Sequence, residues 1–161
     1  MRAFHLVRFL LGLSLATAIL AQAPAPKPDP QLKQFSALFA GRWTYDGEYK
    51  PGPLGPGGKI TGEYTGQTIL KGFFFEGRET EKGATGEVHN VEIDAYDPAN
   101  KNFTSNLYQD DGSRFSGTVT VSANTITWEG KYFVAGQPIL LRAPFVLAAD
   151  RTTAGSWGTR R

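Results

Sequence analysis

From Trp43 onward the chain alternates. Trp43, Tyr45, Gly47 and Tyr49 are interleaved with Thr44, Asp46, Glu48 and Lys50, the period of two that marks a half-buried strand. The pattern recurs and predicts further strands over 60–70, 73–80, 87–96, 102–109, 114–121, 125–134, 139–147 and 152–160. The breaks between them carry turn chemistry: Lys71-Gly72, "KGATG", "DPANK", "DDGS", "SAN" and "AGQP". Upstream, Leu32, Phe35, Leu38 and Phe39 stand at helical spacing, which predicts a short amphipathic helix over 31–39. Gly41 is placed to end it in a left-handed cap. Short strands at this even spacing, joined by tight turns, predict an all-β antiparallel up-and-down barrel or sandwich in a single domain over 31–161.

The first residues do not fit that pattern. Arg2 and Arg8 give a basic start, residues 9–20 are apolar, and small residues follow up to Ala21. This reads as a signal peptide over 1–21, because the apolar run is short for a bilayer span. An uncleaved anchor is the alternative. Residues 22–30, with "APAPKPDP", form a Pro-rich extended linker. The expectation is therefore an exported protein, periplasmic or extracellular, with no stable membrane insertion after cleavage. The chain has no cysteine, so neither lipid attachment nor disulfides are open to it, and packing must carry its stability. Its 17 basic residues, less Arg2 and Arg8, equal its 15 acidic ones. That balance argues against nucleic acid as a partner.

Gly41 and Trp43 form a Gly-x-Trp pair at the entrance of the first strand. Trp43 is expected to point inward and cap the barrel floor, with Gly41 letting the helix backbone approach closely. The pair resembles the Gly-x-Trp signature of lipocalins and the wider calycin group. "GRWTYDGEY", "PLGPGGKITG", "LKGFFFEGRE", "AYDPANKNFTSNLYQDDG" and "GTVTVSANTITWEG" extend the likeness from Leu32 to Leu147. Together they resemble an uncharacterised family of exported bacterial calycin-like domains. The resemblance implies the fold and carries no catalytic residue with it. It also implies a late basic residue stacked on Trp43, for which Arg142, Arg151 and Arg160 compete.

If Trp43 marks the floor, strand one runs from floor to mouth. The 51–58 loop, the 83–86 turn, "DDGS" and "AGQP" then gather at the mouth. Taking the more apolar parity as inward gives Tyr45, Tyr49, Val91, Ile93, Phe103, Leu107, Phe115, Val119, Ile126, Trp128 and Tyr132. Phe73, Phe74 and Phe75 leave their strand ambiguous. A barrel of this size has room for one small ligand at most, and the aromatic lining suits a flat or lipidic one. The candidate ligand-binding residues are Tyr45, Tyr49, His89, Phe115, Trp128 and Tyr132. His89 shares a parity with Val91 and Ile93, which places it inside, near the mouth, beside Tyr49 and Tyr132. A haem ligand or a pH-sensitive contact is the sharper reading of it, and a hydrogen-bonded rim histidine is the favoured one.

Little else carries chemistry. A zinc site is not expected, because His89 is the one histidine beyond the leader and there is no thiolate. Asp94, Asp97, Asp110 and Asp111 read as turn residues rather than calcium ligands. Glu76, Glu79 and Glu81, with Arg78 and Lys82, read as a solvated strand end. No nucleophile elbow, phosphate loop or dinucleotide fingerprint occurs. No cofactor is therefore expected, and the function expected is non-enzymatic: an exported lipocalin-like binding protein for a small hydrophobic molecule. The alternative is a structural or interaction protein of the cell envelope with a filled barrel. Nine strands put the first and last in the same direction, which cannot close an antiparallel barrel. The expectation is that the chain is cut short and a closing strand is missing.

Overall fold

The computed structural model describes residues 25–147, 153–155 and 158–160. The expected signal peptide, the first residues of the expected linker and Arg151 lie outside the described residues. One helix, α1 (Pro30–Phe39), precedes the strands β1 (Gly41–Tyr49), β2 (Gly58–Ile69), β3 (Phe74–Gly83), β4 (Gly86–Asp97) and β5 (Asn102–Gln109). Next come β6 (Arg114–Ser122), β7 (Thr125–Val134) and β8 (Gln137–Leu147), then the short β9 (Thr153–Gly155) and β10 (Gly158–Arg160). Each strand from β1 to β8 pairs antiparallel with the next. The sheet curls into a half-barrel, an all-β calycin-like fold.

The expected ninth strand is two pieces, and both β9 and β10 pair with β8. Neither reaches β1, whose one described partner is β2.

The helix begins where its sequence directs. The Asp29 carboxylate accepts from the Gln31 N–H at 2.8 Å and Pro30 occupies the first turn, which satisfies one orphan donor and omits another. It ends differently from expectation. Ala40 is already extended, with its N–H on the Ser36 carbonyl, and Gly41 follows at φ +111°, so the glycine turns the chain into β1 rather than capping the helix. A Cβ on Gly41 would meet nothing within 4 Å, so close approach of the helix is not its role. That role falls to its cross-strand partner Gly66, where a Cβ would collide with the Phe39 carbonyl oxygen and the Phe75 ring.

Helix α1 plugs the floor of the half-barrel. Leu32 and Phe35 are buried against Phe75, Phe103, Val119 and Ile126. The Phe35 ring stacks on Phe103 at 4.5 Å and meets Phe75 edge-on at 6.1 Å. Each such side chain contributes about 2 kcal/mol through its removal from water. Trp43 is half-buried, and its indole Nε1–H donates to the Phe39 carbonyl at 3.1 Å. Trp43 therefore ties β1 to the last residue of the plug. Arg142 does not stack on it: its guanidinium faces Glu129 at 3.8 Å.

Candidate functional site

Residues that pair directly across strands share a face of the sheet. Trp43, Tyr64, Glu79, Asn90 and Gln109 form one such row. Glu92, Leu107, Phe115 and Tyr132 form another, and Phe103, Val119 and Trp128 a third. Since the third row belongs to the floor core, all three line the concave face. Tyr45, Tyr49, Phe115, Trp128 and Tyr132 therefore stand on the expected side.

His89 does not. It pairs with Thr80, and its side chain is 55% exposed on the convex face. Its Nδ1 lies 3.2 Å from the Thr80 hydroxyl, and Nε2 lies 3.4 Å from Glu87 and 4.0 Å from Asp110. Val91 and Ile93 share its parity and face outward with it. The haem alternative depended on an inward ring and loses that premise. A shallow open depression on this convex face runs past Arg42, Arg78, His89 and Asp110.

The parity of β4 is opposite to the expected one for a physical reason: its inward residues are polar. Asn90, Glu92 and Asp94 face the concave side, and Asp94 is only 1% exposed. Asp94 is thus a core residue, whereas Asp97 and Asp111 are the turn residues expected, accepting from Ala99, Asn100 and Ser113. Strand β3 divides in the same way. Glu76 and Arg78 bond each other on the convex face, and the Arg78 guanidinium lowers the Glu76 carboxyl. Glu79 and Glu81 turn inward, so they are not part of a solvated strand end.

The concave face therefore holds four carboxyl groups: Glu79, Glu81, Glu92 and Asp94. Near the mouth, Tyr45 donates to Glu79 at 2.5 Å and also reaches Glu81 at 3.0 Å. Tyr49 donates to Glu81 at 2.9 Å. The Asn90 amide donates to Glu79 at 2.5 Å, and the Tyr132 hydroxyl donates to Gln109. Deeper, Glu92 accepts from the Trp128 indole at 2.9 Å and from the Ser105 hydroxyl at 2.6 Å. Glycines make room for the rings: the Tyr45 ring occupies the space above Gly62 and Tyr64 that above Gly77.

Burial decides the protonation of this face. Desolvation raises Glu81 and Glu92, and it raises Asp94 well above its ordinary value with Glu92 adding to the effect. Tyr45, Tyr49 and Tyr64 are pushed upward by burial and by the carboxylates beside them, so they remain hydroxyl donors at any ordinary pH. Tyr132 is raised to about 12 for the same first reason. Such a face combines aromatic surface, hydroxyl donors and carboxyl acceptors, with an apolar floor below.

Comparison with protein families decides the relationship of the chain. A family model described as a protein of unknown function, DUF1579, matches residues 28–143. The chain belongs to the DUF1579 family. The DUF1579 match runs from the end of the linker into β8, so it contains α1 and every residue of the concave cluster. A comparison with curated proteins returned no match. Among the described residues, no cluster of three His, Cys, Asp or Glu side chains is arranged to hold a metal ion.

Proposed function

We propose that this DUF1579 protein is a non-enzymatic, lipocalin-like binding protein that takes one small amphipathic molecule at the mouth of its half-barrel. The supporting observation is the mouth layer itself. Tyr45 and Tyr49 meet Glu79 and Glu81 there, above a floor that α1 fills with Leu32 and Phe35. A ligand with an apolar body would lie against the aromatic rings, and its polar group would meet the hydroxyls and carboxyls. The basic, apolar start of the chain supports export, and so a periplasmic or extracellular place of action. Native mass spectrometry of the protein from its own host tests the proposal. A bound small molecule is the expected result, and a bare mass that stays bare across a panel of amphiphiles would contradict it.

One observation favours a second reading, an interaction protein of the cell envelope. Among the described strands, none pairs with β1 on the side away from β2, and sheet edges are templates for another strand. A bare protein that co-purifies with a partner chain, and loses it when Thr44 or Asp46 is replaced by proline, would favour this reading over ligand binding.

A further inference from the structure

The charges of the sheet are sorted by face. On β1 to β8, the parity that carries Glu79, Glu81, Glu92 and Asp94 inward carries every lysine, arginine and histidine outward, Arg42, Arg78, His89, Lys131 and Arg142 among them. Three of the outward acids meet basic partners: Glu76 meets Arg78, Glu87 meets Lys82 and Glu129 meets Arg142. The inward ones meet only neutral donors, namely tyrosines, Asn90, Ser105 and Trp128.

Two buried acceptors of the concave face also lack donors. Asn90 is 7% exposed and its amide nitrogen is held by Glu79, which fixes its carbonyl oxygen within the cluster. That Oδ1 has no hydrogen-bond partner, and neither does Oδ1 of Asp94. A buried acceptor left unpaired is destabilising, and proteins retain few of them. Protonation of Asp94 or Glu92 can relieve the repulsion between the acids. Neither group is bonded to the Asn90 oxygen, which is left without a donor.

A donor-rich cation would meet both needs at once. An ammonium group offers three N–H donors and no acceptor, and it offsets the carboxylate charge. The rings of Tyr45, Tyr49 and Tyr64 line the same face and present π surfaces that favour a cation. A neutral lipid head or a carboxylate would add acceptors to a face on which two already lack donors. We infer that the ligand class of the concave face is a small organic cation, a primary amine on an apolar body, with its ammonium held between Glu79, Glu81 and the Asn90 carbonyl oxygen. This rests on the proposed binding function and goes beyond it by naming the chemistry of the head group.

Displacement of the neutral fluorescent probe N-phenyl-1-naphthylamine from the full-length mature protein separates the two claims. Octylammonium, octanol and octanoate share one apolar chain and differ in their heads. Octylammonium should displace the probe at a concentration about tenfold or more below that of octanol, the ratio expected of a charge-assisted hydrogen bond, and octanoate should be the weakest. Glu79→Gln with Glu81→Gln should bring octylammonium and octanol together. Circular dichroism identifies a variant that fails to fold, and the three-way comparison on the parent protein needs no variant. Octanol or octanoate equal to octylammonium would overturn the cation class while leaving the binding function standing. Stabilisation by calcium alone, with no response to octylammonium, would also overturn it. Failure of the probe and all three competitors to bind would remove the binding function itself.

Discussion

Trp128 and Glu92 are joined across the half-barrel by an indole N–H···O bond of 2.9 Å. The contact runs from β7 to β4, three strands apart in chain order, and places a carboxyl group against the floor core. Trp128 itself packs edge-on against Phe39 at 5.8 Å and Phe145 at 5.1 Å. An acid in such a place is held most comfortably as its neutral form, and the solution behaviour of the protein should report it.

The first prediction is a stability that falls with rising pH. Glu81, Glu92 and Asp94 have folded-state values raised by burial, so the folded state holds protons that the unfolded chain releases. Their contribution is complete below the ordinary carboxylate range, about pH 4, and is lost as pH rises through the raised values. Glu76 and Asp97 are lowered and act oppositely, below that range, away from the concave face. Thermal midpoints should therefore be highest in mild acid and drop by several degrees toward about pH 8. Asp94→Asn should flatten the slope. A midpoint that climbs from about pH 5 to about pH 8 in the parent would contradict the buried neutral acids.

Trp43 should matter through its N–H as well as its bulk. A fully buried tryptophan replaced by alanine loses about 3–5 kcal/mol. Trp43 is only half-buried, so Trp43→Ala should lose less, about 2–3 kcal/mol. Trp43→Phe keeps much of the ring and removes the bond to the Phe39 carbonyl, for a loss of about 1 kcal/mol. Urea unfolding of the three proteins gives the order, and a Trp43→Phe variant as stable as the parent would show that the indole bond is immaterial.

The two paired glycines should respond differently to alanine. Gly66→Ala puts a methyl into the Phe39 carbonyl and the Phe75 ring, an overpacking worth about 2–3 kcal/mol that would loosen the helical plug. Gly41→Ala meets open space and suffers only from its φ of +111°, about 1 kcal/mol. Equal losses, measured by denaturant melts, would mean that the plug does not press on β2.

Much of the fold was legible because turns announce themselves. "DPANK", "DDGS" and "AGQP" bound strands whose ends fall within about three residues of the expected ones. The candidate site was half legible. Tyr45, Tyr49 and Tyr132 lie on apolar strand parities, and apolar parity is inward in most sheets. In β4 that rule inverts. Val91, Ile93 and Ala95 are outside, while Asn90, Glu92 and Asp94 are inside, because their partners stand on other strands: Glu79 on β3, Ser105 on β5 and, farther along the chain, Trp128 on β7. One signal was available. Asp94 pairs in register with Phe75 and Ser105, and fixing the inward member of "FFF" as Phe75 would have carried the acids of β4 inward with it.

His89, on the convex face, should be a bystander to ligand binding. His89→Ala removes contacts to Thr80, Glu87 and Asp110 that are all exposed, and surface changes of this kind shift stability by under about 0.5 kcal/mol. Probe titration should give the same affinity for variant and parent. A weakened affinity would move the binding site to the outside of the sheet.

The location of ligand contacts is measured most directly by backbone amide chemical-shift mapping during titration with octylammonium. The largest shifts are expected at Tyr45, Tyr49, Glu79, Glu81, Asn90 and Tyr132, together with the indole N–H of Trp128, while Arg78, His89 and Lys131 stay in place. Shifts confined to the convex face, or no shifts at saturating amphiphile, would contradict a binding site on the concave face.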